Sequence, residues 1–228
     1  KPKLRKEVIT YSKLENKIED VLRFIRKEID KGNQIFWVCP LIEESKKLDH
    51  ASAVQKYEFL NKKFPNQVAL LHGKTDLDKK EIILSNFLKK KFKILVSTTI
   101  IEVGIDFPNA NVIVIENANK FGLSQLHQLR GRVGRGQNQS SCILMFKSSL
   151  TENAKKRLNI LKHSTDGFEI SEEDMKLRGF GDILGFKQSG IKIFKLADPI
   201  HHTKLFELAE KQIIEMENKN KNISKYKI

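Results

Sequence analysis

The 228-residue chain has only two cysteines, Cys39 and Cys142, too few for a dense disulfide scaffold. Neither sits in a CxxC pair, so no redox or zinc motif of that kind is present. No run approaches the roughly 18 consecutive apolar residues of a membrane-spanning helix. The N-terminal KPKLRKEV lacks the apolar stretch of a secretory leader, and a cytoplasmic protein is the expectation. Also missing is GxxxxGK(S/T), the loop that cradles nucleotide phosphates, and no aspartate-rich strand end offers a seat for magnesium and an activated water. Glu43 and Glu44 superficially resemble paired catalytic acids. Nothing beside them supplies the cleft or metal partners that a glycosidase or nuclease needs.

What is present is basic and globular. Lys and Arg number 42 against 28 Asp and Glu, a net charge of +14, while 39% of residues are hydrophobic. That apolar fraction excludes collagen, mucin and wholesale disorder, and the length suffices for a core. The charge admits a polyanionic partner, although lysine also serves solubility. At roughly 150 residues per domain, the length suggests one large domain, or one domain with a smaller appendage.

Residues 1–13 are basic and polar, a poor start for a domain. Leu14, Ile18, Val21, Leu22, Ile25 and Ile29 then recur at helical spacing, and Gly32 follows where a C-cap belongs. QIFWVC at 34–39, VALL at 68–71, KILVS at 93–97, NVIVIE at 111–116 and SCILMF at 141–146 read as strands. Helical stretches at 51–63 and 76–90 separate some of them. Several of the strand patterns are nearly continuous apolar runs, the signature of strands covered on both faces. The fold expected is α/β with a mainly parallel sheet and flanking helices. After about 147 the rhythm changes. Thr151 with Ala154, Leu158 and Leu161 marks a helix start and its inward face, and Ser171 with Asp174 suggests a second N-cap. Leu205, Leu208, Ile213 and Ile214 suggest a final helix.

QLHQLRGRVGRG at 125–136 is the densest chemical signal. Arg130, Arg132 and Arg135 fall within six positions, and three guanidiniums fit poorly in a purely structural core. A phosphate group would satisfy them; a solvated basic loop is the plainer reading. Gln128 can donate and accept at the same place, and His127 reads as a packing residue or a ligand contact. STTIIEVGIDFPNA at 97–110 follows a buried strand, which puts Thr98 and Thr99 at the usual ligand end of a parallel sheet. Asp106 is either a loop cap or a nucleotide contact. His72, Gly73 and Lys74, after another strand, form either an ordinary basic turn or a DNA-phosphate contact.

At these residues the chain resembles the second RecA-like domain of superfamily 2 helicases, and more narrowly the C-terminal part of the RecG family. STTIIEVGIDFPNANVIVIENANKFGLSQLHQLRGRVGRG is similar to the family's motif V–motif VI block, VCPLIEES to motif IV, and DMKLRGFGDILGFKQSG at 174–190 to the distal translocation element. Phe180, Asp182 and Phe186–Lys187 depart from the family's usual proline, glutamate and Thr-Arg pair. The resemblance implies an extension from the interdomain linker at 1–13, a RecA-like domain at 14–147, a translocation hairpin and loop at 148–200, and a C-terminal helix and tail at 201–228. It implies that Arg132 and Arg135 reach ATP held, with Mg2+, mainly by a first motor domain, with Asp106 and Gln128 communicating nucleotide state. His72, Gly73, Lys74, Thr98 and Thr99 would touch the DNA backbone, while Arg178 and Gln188 would couple closure to translocation. For Arg178 a structural salt bridge is an equal reading. The implied whole is a monomeric ATP-dependent DNA motor, with a first motor domain and a wedge domain in the same polypeptide. It would remodel stalled forks and Holliday junctions in recombination and repair. This chain alone would be inactive. The transcription–repair coupling factor shares the motor and translocation element, and a non-enzymatic DNA-binding module is the competing class; the CPLIEES segment and His127 favour the RecG family.

Overall fold

Apolar runs covered on both faces account for the centre of the structure. The computed structural model describes residues 6–40, 46–73, 75–98, 107–136, 138–178 and 203–218. Among them, Ile9–Leu14 (β1), Gln34–Val38 (β2), Val68–Leu71 (β3), Ile94–Ser97 (β4), Ala110–Ile115 (β5) and Ser141–Phe146 (β6) form one all-parallel sheet, ordered β1-β6-β5-β2-β4-β3. Every residue of β2, β4 and β5 is buried, as their nearly continuous apolar sequences require. The helices are Ile18–Asp30 (α1), Lys46–Lys63 (α2), Leu77–Leu88 (α3), Leu123–Arg130 (α4), Glu152–His163 (α5), Gly167–Arg178 (α6) and Thr203–Asn218 (α7). None of them is long and apolar enough to cross a membrane.

One face of the sheet is sealed by Val21, Leu22 and Ile25 of α1 with Leu60 and Phe64, packed over Ile35, Trp37, Val112 and Val114. On Phe36 the aromatic packing comes from Phe87 of α3 and from Phe107, each ring centroid 5.5 Å from that of Phe36. Each such side chain removed from water contributes about 1.5–3 kcal/mol. Gly32 ends α1 with φ +85°, its N–H bonded to the Ile29 carbonyl, a conformation that favours glycine. The buried Gln34 amide closes α3 by donating to the Phe87 and Phe92 carbonyls at 2.7 and 2.8 Å. Basic residues gather at helix C-termini: Lys27 of α1, Lys62 and Lys63 of α2, Lys162 of α5, and the exposed Lys89–Lys91 just after α3. There they complement the negative ends of the helix dipoles.

Two local expectations are corrected. The polar N-terminal run, expected as a linker extension ahead of a domain starting at 14, supplies β1. It pairs with β6 from Ile9↔Ser141 to Leu14↔Phe146 and keeps Ile9, Tyr11 and Lys13 exposed. An edge strand is held by its backbone on one side, so it needs no continuous apolar run. Ser171 is no N-cap. It lies inside α6 and donates to the Gly167 carbonyl, while the Asp166 carboxylate accepts from the Phe168 N–H at the helix start. Thr151 does cap α5, accepting from the Ala154 N–H at 3.3 Å.

By its internal contacts the chain divides into Lys1–Asp174 and Met175–Ile228. In the first unit Ala154, Leu158 and Leu161 of α5 are buried, and α5 packs on β1 and α4. In the second, α7 leaves Leu205, Leu208 and Ile213 exposed. Truncating Phe36 to Ala empties a fully buried site between two rings. Urea denaturation is expected to register a loss of about 3–5 kcal/mol.

Candidate functional site

A parallel sheet has two unlike edges, one collecting strand starts and the other strand ends. α4 begins beyond the end of β5 and returns along the sheet, burying Leu123, Leu126 and Leu129 at three-residue intervals. The arginine segment therefore emerges at the strand-start edge. Gly136 lies so close to the segment before β5 that an added Cβ would stand 2.4 Å from the Pro108 carbonyl oxygen. Gly134, with φ +80°, would put a Cβ 3.0 Å from Val8, just ahead of β1. Only glycine fits at both places.

The three arginines have different fates. Arg130 is 3% exposed, and its Nη1 donates to the Leu161 and Ser164 carbonyls at 2.7 and 2.8 Å, capping the C-terminal end of α5. Its Nη2 donates to His127 Nδ1 at 3.0 Å, which leaves that ring nitrogen without a proton. Burial lowers the Arg130 pKa from its ordinary value, with Cys142 and Glu7 opposing. The expectation that a phosphate satisfies all three guanidiniums is thus corrected, because internal carbonyls satisfy this one. Arg132 is half-buried, and its Nε is buried with no hydrogen-bond partner among the described residues. Arg135 is exposed between the two tightly packed glycines, and Gln128 is exposed on α4.

His72 and Thr98 occupy the opposite edge. They follow Leu71 and Ser97, which are paired across β3 and β4, so the two stand side by side. The His72 N–H donates to Thr75 Oγ1 at 3.1 Å and its carbonyl accepts from the Thr75 N–H, a tight turn with Gly73 exposed. Thr98 is 5% exposed. Sequence spacing alone groups the threonines with the arginines, but strands of four to six residues hold the two sets about 13–20 Å apart. Lys74, Thr99, Asp106 and Gln188 lie outside the described residues, as does the Arg178 side chain at the end of α6.

Sequence reasoning missed two contact groups. At the strand-end edge Lys56 pairs with Glu116 at 2.6 Å and stands over the Trp37 and Phe59 rings, and the Cys39 thiol donates to Glu116 at 3.7 Å. Burial, followed by the Glu116 charge, pushes that thiol well above its usual range. Residues 60 positions apart carry no sequence signal of such a pair. Along α4, Ser124 donates to Asp174 of α6 at 2.5 Å, and a Cβ on Gly167 would lie 3.4 Å from His127 Nε2. Ser124, His127 and Arg130 thus form a polar line, three residues apart, that joins the arginine helix to α5 and α6.

With this geometry in hand, comparison with known proteins is specific. Residues 16–137 match the helicase conserved C-terminal domain, and residues 164–227 match the C-terminal part of domain 3 of the ATP-dependent DNA helicase RecG. The chain belongs to the helicase C-terminal domain family. Within it, the chain is 47% identical over 210 residues to RecG of Bacillus subtilis, covering 91% of this chain and 31% of that protein. RecG of Thermotoga maritima is 46% identical over 218 residues, covering 95% and 28%. The chain therefore spans about a third of the length of these relatives. A solved RecG bound to a three-way DNA junction superposes with a TM-score of 0.69 at 44% identity, covering 90% of this chain and 26% of that one. Yeast Dbp5 bound to RNA and ADP BeF3, at 21% identity and a TM-score of 0.51 over 77% of this chain and 45% of that one, shares the fold. The expected RecA-like helicase fold and the RecG likeness are borne out.

Replacing Arg130 with Ala strips two buried carbonyls of their donor. A loss of about 2–3 kcal/mol is expected, together with faster amide exchange at the C-terminal end of α5.

Proposed function

We propose that this chain is the second motor domain, with the translocation element, of an ATP-dependent DNA helicase that acts on branched DNA in recombination and repair. The observation that carries the reading is the Arg132 guanidinium: a buried Nε without a hydrogen-bond partner among the described residues, at a glycine-lined edge that has no P-loop of its own. A buried donor without a partner is costly, and an anion brought to that edge would remove the cost. The residues fit half of a nucleotide site. Arg132 and Arg135 would meet the phosphates of ATP held, with Mg2+, mainly by a preceding motor domain of the same polypeptide. ATP supplies the phosphoryl group whose developing negative charge the arginines are suited to stabilise. Asp106 and Gln128 would report the nucleotide state.

His72, Gly73, Lys74, Thr98 and Thr99 would contact the DNA backbone at the far edge. Phosphate contacts position a motor without binding it to a sequence, which suits movement along arbitrary DNA. The line Ser124–His127–Arg130 would carry motion of the arginine helix into α5 and α6, and Arg178 and Gln188 would extend that path. A wedge domain elsewhere in the polypeptide would part the strands, the motor would act as a monomer, and a DNA motor of this kind works in the cytoplasm. The junction-bound RecG relative supports branched DNA as the substrate.

In the full-length protein, Arg132→Ala is expected to cut DNA-stimulated ATP hydrolysis by about 100-fold or more, with the fold intact by circular dichroism. Undiminished hydrolysis would sink the assignment. This chain alone, mixed with branched DNA, is expected to release no phosphate above background in a steady-state assay; turnover would show that it needs no preceding motor domain.

A further inference from the structure

A buried polar network at the strand-start edge is absorbed neither by the fold's apolar packing nor by the site residues. Asn33 is 4% exposed, Asn111 1% and Ser140 1%. Asn111 Nδ2 donates to Asn33 Oδ1 at 2.8 Å, and Asn138 Nδ2 donates to the same oxygen at 3.2 Å. Ser140 Oγ donates to Asn111 Oδ1 at 3.1 Å. Asn33 Nδ2 in turn donates to Glu28 Oε2 at 2.7 Å, and Lys31 holds the other Glu28 oxygen at 2.6 Å. The chain of bonds thus runs from the end of α1, through the starts of β2 and β5, to residues 138 and 140 ahead of β6.

Its position is what matters. Asn138 and Ser140 lie just downstream of Arg135, and the two glycines close in on either side of it. A Cβ on Gly134 would meet Ser140, and one on Gly136 would meet Pro108 and come within 3.9 Å of Asn111 Oδ1. Asn111 therefore sits beneath the arginine segment, bonded on one side to Asn33 and on the other to Ser140. Buried amides impose direction as well as adhesion, because each donor and acceptor is satisfied in only one arrangement. An apolar residue could fill the same volume but could not fix the register of the loop above it.

We propose that Asn111, anchored by Asn33, is a positioning residue for Arg135, setting where its guanidinium stands when phosphate arrives. The proposal rests on the reading of Arg135 as a phosphate contact. Arg135 acts on charge that develops during phosphoryl transfer, so a misplaced loop lowers kcat more than it changes KM for ATP. It also makes the effects of Asn111 and Arg135 non-additive, since a position matters only while the group being positioned is present.

The test is a double-mutant cycle in the full-length protein, with DNA-stimulated ATP hydrolysis as readout and thermal melting as the folding control. Asn111→Ala is expected to lower kcat about 10-fold or more with KM for ATP within about 2-fold. In an Arg135→Ala background the same substitution is expected to cost little further. An unchanged kcat, or an equal loss in both backgrounds, overturns the proposal, the second outcome marking a merely structural role. If Asn111→Ala does not fold, Asn138→Ala removes one bond from an exposed side chain; a kcat loss of about 2- to 5-fold that vanishes in the Arg135→Ala background supports the proposal, and no loss overturns it. If Arg135→Ala alone leaves hydrolysis intact, the reading of Arg135 itself fails and the proposal falls with it.

Discussion

Parallel strand direction is the constraint from which the rest follows. Parallel neighbours cannot be joined by a tight turn, so the chain must return to the opposite edge between strands, usually as a helix. Those returns cover both faces and leave the central strands dry, which is why β2, β4 and β5 are buried throughout and apolar except at Gln34, Ser97 and Asn111 near their ends. They also sort the loops into two sets. Segments that leave strands carry His72 and Thr98 at one edge; segments that enter them carry Arg132 and Arg135 at the other. In the function proposed, DNA contact and nucleotide contact stand at opposite ends of the same short rods. A rigid sheet between them is a suitable lever.

α4 links that lever to the helices beyond it. Its buried face, Leu123, Leu126 and Leu129, holds it to the sheet, while Ser124, His127 and Arg130 hold it to α5 and α6. Arg130 shows how a catalytic-looking motif also serves the framework. It carries the same side chain as Arg132, two positions away, yet it is occupied by the end of a helix. Helical geometry separates them: Arg130 is the last residue of α4 and faces inward, whereas Arg132 lies in the turn after it.

Much of this was legible in the sequence where the signal was local. Apolar runs located five strands, Thr151 marked the start of α5, and the motif block from Ser97 to Gly136 identified the class. Non-local facts were not legible. β1 draws its stability from pairing with a strand some 130 residues away, so its own residues need not be apolar. Lys56 with Glu116, and Asn33 with Asn111, meet only because the sheet order brings β2 beside β5. The different fate of Arg130 depends on the Leu161 and Ser164 carbonyls, which no motif encodes.

The lysines at the helix C-termini have a further consequence. Helices that return across a parallel sheet finish at the edge where the next strand begins, the same edge that carries Arg132 and Arg135. Lys27, Lys62, Lys89–Lys91 and Lys162 therefore add to the arginines' potential. Part of the net charge of +14 thus becomes a local field at that edge. Such a field draws anions inward over about 10 Å and fades as salt rises, so ionic strength acts on the approach of a polyphosphate before any hydrogen bond forms.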